Sequence, residues 1–525
     1  MRLEDLLSLS NKMYERQGPF LTLCQTLAEH FYPERADFTT QRAIGDELAD
    51  QLIDSYPVMM RRDLCDAFSA MLRDGNDWAQ VYVQEDPGYA GNAWLEWAGG
   101  RMMSLMADHR SGFTRATKQG DHDYGTFGQC VISVEPNRYY NGFLYRNWHL
   151  KDCAWEDNEG GYVDHVHRKW SPTLFELKRL FGEKALHDKH KEMLKKSPME
   201  TAKIRHMVLP AELYGKGEFE RYEYVSLFVD TQHEHVIEEK GINYCYYVVP
   251  RFQTIAGSPY AYSPAAITAL PNARALQAMT FTLMEAAERY ARPPLVATAN
   301  ATRSDIDLGP DGITWIDRDY DQKTGAALEV LRQDRGGWPI GADMRQSVVD
   351  IIASCFYHDR LTLPETNREM TAYEVRERMK QYRQRNLPLF APMEAEYNGQ
   401  LCEASMRLAM QMGLMGSAYD IPSSLRGQET EWKFKTPLTD AEEEKKVQQF
   451  AQTSELLAQA VQVDELVANE YDVTAAFRDA VQATGAPVTW LRDLKEAAQR
   501  RDIQGRAAAM QLAYESGAMQ EGEAA

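Results

Sequence analysis

Residues 263–292 read SPAAITALPNARALQAMTFTLMEAAERYAR. Ile267, Leu270, Ala273, Leu276, Met279, Leu283, Ala287 and Tyr290 recur in it at three- and four-residue steps. That is the period of one apolar helix face. Pro293-Pro294 follows and stops the helix. Thirty residues of helix make a rod of about 45 Å. A second helix is predicted over 342–360, with Met344, Val348, Ile351, Ile352, Cys355 and Phe356 on its stripe. Between the two, in 294–341, short apolar pieces (LVATA, GITWI) alternate with Asp- and Gly-rich turns, and GGWPIG closes the segment. The reading is a small β-rich module whose ends lie close together on a helix pair. Such a pair buries little by itself. Its stripes want neighbouring copies, which a ring supplies.

Outward from this centre the texture changes. Residues 1–75 read as helical, with Leu3, Leu6, Leu7, Leu9 and Met13 on one stripe and Leu52, Ile53, Met59, Met60, Leu64 and Phe68 on a second. A Gly-, Asn- and Trp-rich interval, 75–100, interrupts them, and a helix resumes around Trp94–His109. From about 127 to 250 the stretches CVISVEP, FLYRNW, GYVDHVHRKW, YEYVSLFV and YCYYVVPRF read as strands. One helical insertion, about 173–195, carries Leu174, Leu177, Leu180 and Phe181. After the Pro-containing loop LTLPETNREM, a long helix runs from Thr371 with a break near Leu387-Pro388. The segment 437–519 is Ala-, Gln- and Glu-rich, with helices expected over about 438–468, 473–483 and 488–517 and a turn at Gly485-Ala486-Pro487. No internal repeat is present. The fold class is α+β, mainly helical.

Composition narrows the function. Apolar residues make up 44% and charged residues 26% of the 525, which excludes collagen-like and wholly disordered chains. The net charge of −20 argues against a free-standing DNA binder that coats phosphate with a basic surface. No apolar run reaches the roughly 20 residues of a membrane span. The seven cysteines are odd in number and widely spaced, with no CxxC, and read as free thiols in a reducing compartment. The start, MRLEDLLSLSNKMYERQGPF, lacks the basic and apolar regions of a signal peptide, so an intracellular chain without a lipid anchor is expected.

Catalytic signatures are missing: there is no GxxxxGK[ST], GxGxxG after a strand, GxSxG or HExxH. Three constellations remain. Asp317, Asp319 and Asp321 open like a calcium loop, but Gln322 and Leu328 replace its glycine and its bidentate glutamate, so a solvated acidic loop is expected. His165 and His167 share one face of a strand, expected to be half-exposed, and lack a third metal ligand. Arg376, Arg378, Lys380, Arg383 and Arg385 stand against Glu377 alone, as either a solvated helix face or a phosphate-facing patch. No cofactor, metal or catalytic residue is assigned. A nuclease or hydrolase would need a tight Asp, Glu and His cluster around a pocket in one copy. A capsid- or scaffold-associated structural protein without a DNA channel is the alternative.

The stretch from Tyr247 to Ala297 resembles the core of the portal, or head-to-tail connector, proteins of short-tailed bacteriophages. The likeness rests on Val249-Pro250-Arg251, the loop Gly257 to Tyr262, the Pro-broken helix start Leu270 to Leu276, and Pro293-Pro294. Met370 to Leu401, MTAYEVRERMKQYRQRNLPLFAPMEAEYNGQL, is a second similar stretch, followed by a helix ending in Gly413. The tail is a weaker third: a helix after PLTDAE, then GAPVTWLRDLKEAAQRR. Together they span about 245–505. The resemblance implies a ring, usually of twelve subunits, at one capsid vertex, through which double-stranded DNA enters and leaves. It implies a wing (1–262 and 371–436), a stem (helices 263–293 and 342–360), a clip (294–341), a channel loop (361–370) and a helical crown (437–525). Arg360 and Arg368, then the basic stretch Arg376 to Arg385, become the expected DNA-channel residues. Asp305, Asp307, Trp315, Asp317, Arg318 and Tyr320 become the expected clip surface for terminase and tail adaptor. The implied partners are further copies of the chain, the adaptor, terminase, the major capsid protein and scaffold or internal core proteins. No membrane is involved, and assembly takes place in the host cytoplasm.

Overall fold

A computed structural model describes residues 2–293 except positions 44, 74, 76 and 86, then 295–297, 328–330, 337–358, 393–417 and 420–434. It also describes 437–515 except positions 463–466, 468–470, 485, 487–489 and 493. The fold is mixed α+β and mostly helical. In chain order come α1 (Leu3–Phe31), α2 (Tyr56–Leu72), β1 (Ala79–Tyr82), α3 (Gly88–Ala107) and α4 (Phe113–Phe127). Then follow β2 (Val131–Pro136), β3 (Phe143–Trp148), β4 (Cys153–Asp157), β5 (Val163–Trp170), α5 (Leu174–Phe181), α6 (Asp188–Lys196), β6 (Ile204–Pro210) and the single turn α7 (Ala211–Tyr214). Next are β7 (Tyr224–Asp230), β8 (His235–Ile242), β9 (Tyr247–Val248), β10 (Gln253–Thr254), β11 (Ala261–Tyr262) and α8 (Pro264–Ala291). The chain continues through β12 (Leu295–Ala297), β13 (Leu328–Val330), α9 (Gly337–Cys355), α10 (Gln400–Gln411) and β14 (Glu431–Phe434). It closes with α11 (Pro437–Val461), α12 (Val473–Ala483) and α13 (Leu494–Glu515). Two compact units result: Met1–Leu21, Cys65–Ser263 and Arg360–Ala525 form one, and Thr22–Leu64 with Pro264–Asp359 form the other.

The first unit is built on a five-stranded antiparallel meander, β4-β5-β6-β7-β8. Period-2 alternation sends Val225, Leu227 and Val229 of β7 to one face, where they pack with Leu6, Met207, Leu209 and Tyr214. On another side Leu174, Leu177 and Leu186 pack with Ile204 and Ile237. Helix α1 is tied to the sheet by polar side chains as well as apolar ones. The Tyr14 hydroxyl donates to the carbonyls of Asp152 and His167, and the buried Gln17 amide to those of Leu150 and Cys153. A second, three-stranded sheet has the order β3-β2-β9.

Local chemistry sets the ends of these elements. Thr173 and Glu176 form a reciprocal capping box at the start of α5. After α10 the Gly413 N–H bonds Met410 O and the Leu414 N–H bonds Ala409 O, with Gly413 at φ 69°. That is the left-handed stop glycine permits, and it ends the helix where the sequence places its end. Gly128, at φ 81° after α4, is required twice over. A Cβ there would lie 2.2 Å from the Tyr262 backbone carbon and 2.4 Å from the Ser263 nitrogen.

Several expectations shift. The helix expected from Trp94 begins at Gly88, and α4, β1, β4, β6, β8, β10, β11 and β14 are among the elements additional to those read from the sequence. The insertion at 173–195 is two helices, because Gly182 takes φ 81° after α5. Ile53 and Met59 are exposed, and the buried stripe of α2 is Met60, Leu64, Phe68 and Leu72. Helix α8 runs through Pro271, which lies on its exposed side. Helix α9 starts at Gly337 rather than 342, since Pro339 falls in the first turn, where no N–H is needed. The helix expected from Thr371 lies outside the described residues.

Candidate functional site

The second unit centres on α8 and α9. Arg345 Nε donates to Thr280 Oγ1 at 3.2 Å, and Gly341 faces Leu283 so closely that a Cβ would lie 3.0 Å from its Cδ2. Forward along α9 is therefore backward along α8: the helices are antiparallel. Small residues (Ala265, Ala266, Ala269, Ala273) with Leu276 form the buried face of α8. On α9, Val349, Ile352, Ala353 and Phe356 are buried, and Phe356 meets Phe31 edge to face at 5.3 Å. β12 and β13 continue the pair as an antiparallel ribbon, with Leu295 opposite Val330 and Ala297 opposite Leu328.

A polar clamp holds the loop before α2 onto this pair. Gln277 Oε1 accepts from the N–H groups of Ile53 and Asp54 at 2.9 Å, and its amide donates to Asp54 O at 2.7 Å. The nearly buried Asp54 carboxylate accepts from Arg345 Nη2 at 2.6 Å, Thr280 Oγ1 at 3.2 Å and Tyr56 N at 3.0 Å. Elsewhere in this unit a cleft of about 430 Å³ is lined by Gln25, Glu29, Thr40 and Arg42 among others. Its polar groups hold the loop after α1: Gln25 Oε1 accepts from Phe38 N and Thr39 N, and Arg42 donates to Pro33 O.

The outer sides of the pair carry the site's character. Ile267, Phe281 and Met284 of α8 are exposed, as are Ile340, Met344 and Ile351 of α9. The three on α9 recur at steps of four and seven, hence on one stripe. Charge is close to balanced: within the two helices Arg274, Arg289 and Arg345 stand against Glu285, Glu288, Asp343 and Asp350, and Arg292 follows directly after α8. The chain's acidic excess therefore resides elsewhere.

In the first unit the two principal phage-like stretches meet. The Arg251 N–H donates to Glu396 Oε2 at 3.0 Å, and its buried guanidinium reaches Glu396 Oε1 at 3.2 Å, Asp157 Oδ2 at 3.4 Å and the Gly161 carbonyl. Within the Gly257 to Tyr262 loop, Tyr260 stacks on Phe20 at 5.0 Å. A second buried ion pair joins Arg73 to Asp121, with Arg73 also donating to Asn398 at 2.8 Å. Burial works against the Arg73 charge, but Asp121 outweighs it and holds the proton more tightly than usual.

His165 and His167 do share a strand face, but the face is buried, not half-exposed: they are 5% and 0% accessible. Their Nε2 atoms face each other at 2.8 Å. Burial pushes His165 down to about 4 and His167 well below its ordinary value. Nearby, His206 bonds Tyr247 Oη and Ser226 Oγ, and burial holds it neutral too. These imidazoles are neutral core groups. Among the described residues the one group suited to a metal is His190, Asp230 and His233. The signal for it is H187xxH190 with D230xxH233xH235, two short patterns that only the fold joins. The expected channel residues Arg360, Arg368, Arg376, Arg378, Lys380, Arg383 and Arg385 lie outside the described residues. So do the expected clip residues Asp305, Asp307, Trp315, Asp317, Arg318 and Tyr320, and the calcium-like Asp319 and Asp321.

The helix pair thus carries exposed apolar stripes, and the histidines of the sheet are held neutral in the core. The chain matches the family of bacteriophage head to tail connecting proteins over residues 3–491, and it belongs to that family. It is accordingly a structural, non-enzymatic component of the phage virion at the head–tail junction. It is 22% identical over 460 residues to a probable portal protein of Bordetella phage BPP-1, covering 83% of this chain and 79% of the relative. Among solved structures, a chain of the virion of a native gene transfer agent particle is similar at a TM-score of 0.34 and 8% identity. That alignment covers 76% of this chain and 86% of the other.

Proposed function

We propose that the chain is a portal subunit, and that twelve copies close into a ring at one capsid vertex. Double-stranded DNA passes through the ring during packaging and ejection. The observation that carries this reading is the antiparallel pair α8/α9, with its ribbon at one end and exposed apolar residues along its outside. Membership in the head-to-tail connecting family supports it, as does the likeness to a relative named as a probable portal protein. In this reading α8 and α9 are the stem, 294–341 the clip, 361–370 the channel loop and 437–525 the crown. The remaining segments, 1–262 and 371–436, are the wing. The break between the compact units at 263/264 and 359/360 accords with a stem over 263–360.

The mechanism follows from charge. Duplex DNA carries one charge per about 1.7 Å, and a passage that lets it slide must not grip it. The balanced helix pair provides no basic band. Sparse basic rings, from Arg360, Arg368 and the stretch Arg376 to Arg385, give weak contacts independent of sequence. The chain itself hydrolyses no ATP. A separate terminase docks on the clip around Asp305, Asp307, Trp315, Asp317, Arg318 and Tyr320, and a tail adaptor later replaces it. Major capsid protein and scaffold or internal core proteins surround the ring in the assembled virion. Electron microscopy of the purified protein tests the reading. Closed rings with a hole wide enough for duplex DNA, roughly 20 Å, are expected. Monomers or closed dimers at every salt concentration would overturn it.

A further inference from the structure

Helix α6 and the β7–β8 turn bring together four of the chain's twelve histidines with one buried carboxylate. His190 Nδ1 lies 3.2 Å from Asp230 Oδ2, and His233 Nδ1 lies 2.8 Å from the same oxygen. The three ligand atoms all fall within 4.8 Å of one another. Asp230 is fully buried and His190 is 2% exposed. A simple His–Asp–His hydrogen-bond network would have both rings donating to the carboxylate. Only His233 has that geometry, and His190 Nδ1, though 3.2 Å from Asp230 Oδ2, has no hydrogen-bond partner. A buried ring nitrogen without a partner, 3.2 Å from a buried carboxylate oxygen, is costly as it stands. A cation held by that nitrogen and by Asp230 Oδ2 gives the ring its missing partner and the carboxylate a counter-charge.

We propose that His190, Asp230 and His233 bind a divalent transition-metal ion, Zn²⁺ by the nature of the donors. Two imidazoles and a carboxylate are a Zn²⁺ set, and tetrahedral Zn²⁺ holds its ligand atoms about 3.4 Å apart. The spacings of 2.8 and 3.2 Å fall just short of that value and the third is at most 4.8 Å, so modest side-chain shifts close the site. The surroundings already orient the ligands. Asp230 Oδ1 accepts from Gln232 N at 2.9 Å, which turns Oδ2 inward. His235 Nε2 donates to Ala185 O at 2.9 Å, tying the start of β8 to the loop before α6. His187 stacks on His233 at 4.6 Å; its Nδ1 accepts from Lys189 N, which directs Nε2 away from the backbone. His233, 14% exposed, marks the solvent side, where water takes the fourth position. The ion would fasten the small α5–α6 insertion to the sheet, and this reading is independent of the portal proposal.

The test uses the full-length protein, stripped with a chelator and titrated with Zn²⁺ alone. One Zn²⁺ per chain by elemental analysis is expected, with a higher melting temperature and, on Co²⁺ substitution, the visible absorption of a tetrahedral site. His233→Gln, at the open edge, should keep the native circular dichroism spectrum and weaken Zn²⁺ binding at least about tenfold. His190→Gln should do the same, and His109→Gln, on the surface, should change nothing. No Zn²⁺ retained at micromolar free metal, or wild-type affinity in both ligand variants, overturns the proposal.

Discussion

Replacing Ile340, Met344 and Ile351 together with serine probes the contact on which the proposed ring would depend. In the single chain these residues are 63%, 52% and 47% exposed. The area still open to a neighbour amounts to about one and a half side chains, and full burial of one is worth about 1.5–3 kcal/mol. Each subunit interface would lose about 2–5 kcal/mol. At 1.4 kcal/mol per factor of ten, that weakens each contact by about 30-fold or more. The fold of one copy should barely notice, because the buried face (Val349, Ile352, Ala353, Phe356) is untouched. The assay is sedimentation velocity over a concentration series, with circular dichroism as the folding control. Wild-type protein should stay assembled to much lower concentration than the variant. If the triple variant assembles with the wild-type concentration dependence, the stripe is not the subunit contact and the reasoning fails.

Two further outcomes follow from the described side chains. Asp54→Ala removes the acceptor for Arg345, Thr280 and Tyr56 N; with Arg345 partly solvated, the loss is about 2 kcal/mol. Thermal melts should show Arg345→Ala to be similar and the double variant little worse, whereas strict additivity would mean that the pair is not coupled. The buried His165, His167 and His206 are all depressed in the folded state. The unfolded chain therefore binds more protons below the ordinary histidine value of about 6.5. Their contribution is complete above that pH and is lost as the pH falls towards the folded value, which for His165 is about 4. Urea melts should lose up to about 1.4 kcal/mol per pH unit for each such histidine between pH 6.5 and 4.5. A flat stability profile over that window would contradict their neutrality.

Most of the helical frame was legible because its signals are local. The stripe and the Pro-Pro stop of 263–292 define α8 almost to the residue, and Gly413 marks the end after α10. Strands with clear β-branched or aromatic runs, such as VISVEP and FLYRNW, were legible for the same reason. Helix α4 was not, because Gly120 and Gly125 break its pattern. Their meaning is tertiary: a Cβ at Gly120 would lie 2.5 Å from Tyr397 Oη, and at Gly125 2.4 Å from Cys65 Sγ. Strand β8 hid behind the charges of HVIEEKGI, which suit the edge of a sheet.

By itself the sequence determined a long, Pro-stopped amphipathic helix, a second helix beyond a compact insert, and the ordered spacing by which the chain resembles phage connectors. Only the tertiary structure decided that residues 22–64 join that helix pair, that Arg251 meets Glu396, and that His190 meets Asp230 and His233. The reason is physical. Periodicity encodes which side of a helix or strand is apolar. It does not encode which distant segment covers that side, since a buried polar partner can come from any segment the fold delivers with the right geometry.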